Sequence, residues 1–66
     1  MKSKKLSKEH QDNLVHIGNN VASLWGASCY DIKPNDKEEV VVFYCVEHGE
    51  HFIAKVPYNE LDDYND

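Results

Sequence analysis

Two hydrophobic periods run along the chain. Between residues 8 and 25, a wheel turning about 100° per residue collects Leu14, Val15, Ile17, Gly18, Val21, Ala22, Leu24 and Trp25 on one half, with His10 and Gln11 at its N-terminal end. Lys8, Glu9, Asp12, Asn13, His16, Asn19, Asn20 and Ser23 fill the other half. This separation predicts one amphipathic helix over 8–25. Ser7 suits the N-cap, Glu9 favours the helix dipole, and Leu6 is placed to act as a hydrophobic staple. Gly26 suits a left-handed C′ residue. Gly18, on the apolar half, allows another element to approach closely.

Downstream the period shortens. Residues 28–33 alternate weakly and predict a short strand, followed by a turn at Pro34-Asn35-Asp36-Lys37. Residues 39–46 are β-branched and aromatic, and form the strongest strand signal. His48-Gly49 predicts a hairpin turn, with 51–56 returning as the partner strand and Pro57 ending it. Residues 58–66 form an acidic tail in which Tyr58, Leu61 and Tyr64 can make one helical turn that folds back. The expected architecture is α+β: one N-terminal amphipathic helix packed on an antiparallel β-hairpin or three-stranded meander (αβββ). It is a single domain over 1–66, with a flexible basic arm at 1–6 and the tail at 58–66.

The strands lack the alternation of a sheet with one wet face. With a two-residue His48-Gly49 turn, Cys45 opposes Phe52, Phe43 opposes Ala54 and Val41 opposes Val56, an apolar face the helix can cover. The other face carries Val40, Val42, Tyr44, Val46 and Ile53, interrupted by His51 and Lys55. A three-residue Glu47-His48-Gly49 turn exchanges the faces, and both stay apolar, so the pattern alone specifies the register weakly. A single helix roofs one side. The second face calls for cover by the tail, by a second copy of the chain, or by a different protein, because monomers rarely leave several hundred Å² of apolar surface bare.

Composition narrows the partners. Of 66 residues, 41% are hydrophobic, and the formal net charge is −5. Four of the seven Lys lie at positions 2, 4, 5 and 8, and no Arg is present. An acidic body without Arg is a poor match for phosphate, so nucleic acid is disfavoured as a partner. No apolar run reaches membrane-spanning length and no signal-peptide core follows the basic start, so a cytoplasmic location is expected. There Cys29 and Cys45 stay reduced and serve as small buried apolar residues.

Catalytic and metal chemistry are weakly encoded. Cys45-x2-His48-x2-His51, with Cys29, has zinc-ligand types, but in the two-residue-turn register Cys45 and His51 project to opposite faces. Cys45 in an apolar strand is a poor nucleophile. Neither a Gly-rich phosphate loop nor a cleft for a carboxylate pair is legible. No enzyme activity, metal or cofactor is expected. His10 is read as lying at the wet edge of the helix stripe, His16 as facing solvent, and Trp25 as core.

The resulting expectation is a non-catalytic interaction or inhibitor module, possible also as a homodimer, that binds a protein through its apolar sheet face and acidic surface. Val40, Val42, Tyr44, Val46 and Ile53 would supply affinity; Glu47, Glu50, Asp62 and Asp63 would steer a basic partner, the alternative being plain solubility charge. In size and charge the chain is similar to small acidic phage and mobile-element products that block a host protein, a likeness that covers no particular residues. Alternatives are a nucleic-acid-associated regulator using the basic arm, and a homodimeric structural protein of an assembly.

Overall fold

A computed structural model describes residues 6–65. The fold is α+β: a helical N-terminal region packed on a three-stranded antiparallel sheet of order β1-β2-β3. The elements are α1 (Lys8–Asp12), α2 (Leu14–Ser23), β1 (Ser28–Asn35), β2 (Val40–Glu47), β3 (Glu50–Pro57) and a 3-10 helix (Tyr58–Tyr64).

The single helix expected over 8–25 is divided. Asn13 leaves helical geometry (φ −108°, ψ 12°), and its N–H bonds back only three residues, to His10 O at 3.1 Å. Ahead of the break, Leu6 reaches the core and His10 reaches the 3-10 helix. Ser7 caps α1 by accepting from His10 N at 3.2 Å. Leu6, assigned by sequence to the arm, is a buried core residue; residues 1–5 of that arm lie outside the described residues. A hydrophobic staple would need an apolar partner at Gln11. Instead the Gln11 amide donates to Leu6 O at 3.1 Å.

Helix α2 ends where Gly26 turns left-handed, with φ +66°. Ala27 N bonds Ala22 O at 3.0 Å and Gly26 N bonds Ser23 O at 3.1 Å, the paired bonds of a Schellman cap. The buried stripe of α2 is Ile17, Gly18, Val21 and Ala22, narrower than the apolar half of the wheel. Val15 (70% exposed), Leu24 (62%) and Trp25 (52%) fall outside it, because a helix on a sheet touches it along one line. Trp25 is therefore not a core residue; it rests edge-on against Phe52, centroids 5.9 Å apart.

Strand β1 runs two residues past its expected end, and the turn moves to 36–39. Strands β2 and β3 adopt the two-residue-turn register: Val41 opposes Val56, Phe43 opposes Ala54 and Cys45 opposes Phe52. His48 (φ 51°) and Gly49 (φ 81°) both take positive φ, the type I′ geometry that matches strand twist. On the helix-facing side Val41, Phe43 and Cys45 are fully buried with Ile17, Val21, Ala22 and Leu61. A β-bulge at Tyr30 shifts the β1–β2 register between Cys29 and Asp31.

The tail does fold back, but beside α2 rather than over the second sheet face. Tyr58 and Leu61 join the core cluster and Tyr64 packs against it. Three side chains of the helical region hold the 3-10 helix and its C-cap: His10 Nε2 lies 2.7 Å from Asp62 Oδ1, Asn13 Nδ2 donates to Asn65 Oδ1 at 3.1 Å, and Asn20 Nδ2 donates to Tyr64 O at 2.6 Å. His10 is half-buried and bonded rather than merely at a wet edge.

Candidate interaction surface

The register defines what the second face carries. Side chains alternate along a strand, so Val40, Val42, Tyr44 and Val46 of β2 share a face with His51, Ile53 and Lys55 of β3, and with Asp31 and Lys33 of β1. The bulge adds Tyr30 to the same side. Its ring lies 6.5 Å from Tyr44 and 5.4 Å from His51, and its hydroxyl is 3.0 Å from His51 Nδ1. Lys33 Nζ stands 5.7 Å from the Tyr44 ring centroid, within cation–π range. Tyr30 and Ile53 are more than half exposed, and Val40, Val42, Tyr44 and Val46 are half-buried. Among the described residues, no other element of the chain is laid over this face.

The sequence-predicted site is thus divided. Val40, Val42, Tyr44, Val46 and Ile53 form one contiguous surface. Glu47 and Glu50 pair beside the hairpin turn and alternate to the helix side, where Glu47 Oε2 comes near Gly26. Asp62 and Asp63 sit on the 3-10 helix, in the helical layer. The apolar face is flanked instead by Lys33 and Lys55, which oppose Val42 from either side. Among the described strand residues, Asp31 is the one acid on that face. Among the described residues, the helical layer carries Glu9, Asp12, Glu60, Asp62 and Asp63 against Lys8.

Tyr30 and Lys33 were not legible as members of this surface. Strict alternation through β1 would set Tyr30 and Lys33 on opposite faces. The bulge inserts one residue and resets the phase.

Cys45 faces the core and His51 the outer surface, with His48 at the hairpin tip. Cys29 lies directly opposite Cys45 on the helix-facing side. Both thiols are free, and burial pushes both upward in pKa. Cys29 also lines an open groove of about 420 Å³ with Val15, Asn19, Tyr30, Asp31 and Ile32. No helix among the described residues is long and apolar enough to cross a membrane.

Comparison with protein-family models, with characterised proteins and with solved structures finds no match.

Proposed function

We propose that this protein is a non-catalytic interaction module that docks an apolar, acidic segment of a partner protein on its outer sheet face. The observation that carries this reading is the position of the tail. The tail, the segment expected to seal that face, packs beside α2, and among the described residues no other element is laid over Val40, Val42, Tyr44, Val46 and Ile53.

Size and charge select the occupant. Three strands of eight residues make a face of roughly 400 Å² at strand spacings of about 4.8 Å and 3.3 Å per residue. A stable globular interface takes about 800 Å² from each partner, so the face alone suits a segment better than a folded subunit. Two copies set face to face would also bring Lys33 and Lys55 of each against those of the other. An acidic segment answers both lysines, while its apolar residues cover the valines, Tyr44 and Ile53. The wild-type chain is accordingly monomeric under this reading.

The test compares protein capture by the wild-type chain, by Tyr44→Ser/Ile53→Ser, by Lys33→Glu/Lys55→Glu and by a Glu47→Lys/Asp63→Lys control, with folding checked by circular dichroism. A species held by the wild type and the control, and lost from the two outer-face variants, supports the reading. Capture that survives both outer-face variants overturns it. A dimeric mass by light scattering that collapses to monomer in Tyr44→Ser/Ile53→Ser would assign the face to self-association instead. Tight binding of oligothymidine, read by fluorescence anisotropy, would assign it to single-stranded nucleic acid stacking on Tyr30 and Tyr44.

A further inference from the structure

We propose that Cys29 and Cys45 form a dithiol modification site, which a small disulfide compound converts into a disulfide joining β1 to β2. The register makes them direct cross-strand partners on one face. Directly opposed residues of an antiparallel pair have Cα atoms about 4.5 or 5.5 Å apart, according to the hydrogen-bonding phase. Both values lie inside the roughly 4.4–6.8 Å range that a disulfide spans. In the reduced chain each thiol donates to a carbonyl of its own strand, Cys29 to Asp31 O at 3.5 Å and Cys45 to Phe43 O at 3.8 Å.

The site is asymmetric, and the asymmetry orders the chemistry. Cys45 is fully buried. Cys29 is half-buried at the wall of the groove beside Val15 and Tyr30, on an edge strand. A reagent therefore reaches Cys29 first. Cys29 gives its proton to water, and its thiolate attacks one sulfur of the small disulfide. That S–S bond breaks and one reagent thiol leaves, with a mixed disulfide remaining on Cys29. Cys45 then loses its proton and attacks the Cys29 sulfur, and the second reagent thiol leaves. Two protein thiols are oxidised, and one reagent disulfide is reduced to two thiols. The thiolate is the attacking species, so the raised thiols make the exchange slow at neutral pH and faster as pH rises.

Helix α2 packs directly against Cys29 at Gly18. A Cβ at position 18 would come within 3.0 Å of Cys29 Sγ, so Gly18 is what lets α2 lie against the thiol. The new bond would close a loop between an edge strand and the central strand, and would tie down the bulge that presents Tyr30.

The test treats the folded 66-residue chain with bis(2-hydroxyethyl) disulfide at pH 8.5, with a denatured sample alongside. The expected product is monomeric, has lost both thiols and two hydrogens of mass, and yields a peptide linking residue 29 to residue 45. Its melting temperature rises by roughly 10 °C or more. Cys45→Ala should stop at the mixed disulfide on Cys29, and Cys29→Ala should leave Cys45 unreacted while the chain is folded. The proposal is overturned if the wild type accumulates the mixed disulfide, forms disulfide-linked dimers, or keeps both thiols while the denatured sample is fully oxidised. The wild-type peptide map decides the matter even if either variant does not fold.

Discussion

The Tyr58 hydroxyl donates to Asp36 Oδ1 at 2.6 Å, tying the start of the 3-10 helix to the turn between β1 and β2. The contact spans 22 residues and is backed by a backbone bond from Tyr58 N to Glu39 O at 2.8 Å. Tyr58 is 5% exposed. Burial, then the hydrogen bond to Asp36, then the charges of Asp36 and Glu39 push its phenol up to about 12 from an ordinary value of 10.0.

A phenol that stays protonated in the folded chain after the unfolded chain has ionised makes alkali destabilising. Below the ordinary tyrosine range the phenol is neutral in both states, and its contribution is fully present. Between about 10 and about 12 only the unfolded chain loses the proton, so stability falls with rising pH. A two-unit difference corresponds to roughly 2–3 kcal/mol. Urea unfolding across this window should show that loss in the wild type, and Tyr58→Phe should flatten it. An equal alkaline loss in Tyr58→Phe would show that another group carries the effect.

Leu61, one turn on from Tyr58 along the same face of the 3-10 helix, is fully buried. Replacing a buried Leu by Ala costs roughly 2–5 kcal/mol, a large share of the stability of so short a chain. Leu61→Ala should therefore be largely unfolded at 37 °C by circular dichroism. Ile53→Thr, on the open face, should shift stability by no more than about 0.5 kcal/mol.

Gly18 is a packing glycine in the middle of α2. A Cβ there would meet Cys29 Sγ and Phe43 Cδ1 at 3.0 Å each. Helix propensity alone would favour Gly18→Ala by about 1 kcal/mol, whereas overpacking costs about 1–3 kcal/mol. Phe43 is fully buried in the sheet centre and has little room to yield, so the variant should be destabilised by about 1 kcal/mol in chemical denaturation. A more stable variant would show that α2 lifts off the sheet without loss.

The hairpin tip is open to improvement. His48 takes φ 51° with a side chain 90% exposed. Asn tolerates this conformation better and completes the preferred Asn-Gly type I′ pair. His48→Asn should raise stability by about 0.5–1 kcal/mol with the fold unchanged, measured as a higher denaturation midpoint at constant m-value.

Local chemistry was legible wherever one residue type has one good use. Gly26 ends α2 because a left-handed residue closes a Schellman cap, and His48-Gly49 turns the hairpin because Gly accepts positive φ. The β-branched and aromatic run at 39–46 is too short for a helix and reads as a strand, and its apolar residues on both sides already implied a surface that one helix would leave bare. What the chain alone did not settle was which way each ambiguous segment would face. Strands apolar on both sides admit two registers, and the tail's Tyr58 and Leu61 suit either side of the sheet. Tertiary packing chose. The 3-10 helix docks where His10, Asn13 and Asn20 satisfy its polar groups, the helical region breaks at Asn13, and the bulge at Tyr30 turns Tyr30, Asp31 and Lys33 outward together. Such choices depend on neighbours distant in sequence, because a side chain's own period fixes only its alternation, while the face it buries is set by whatever else must be buried with it.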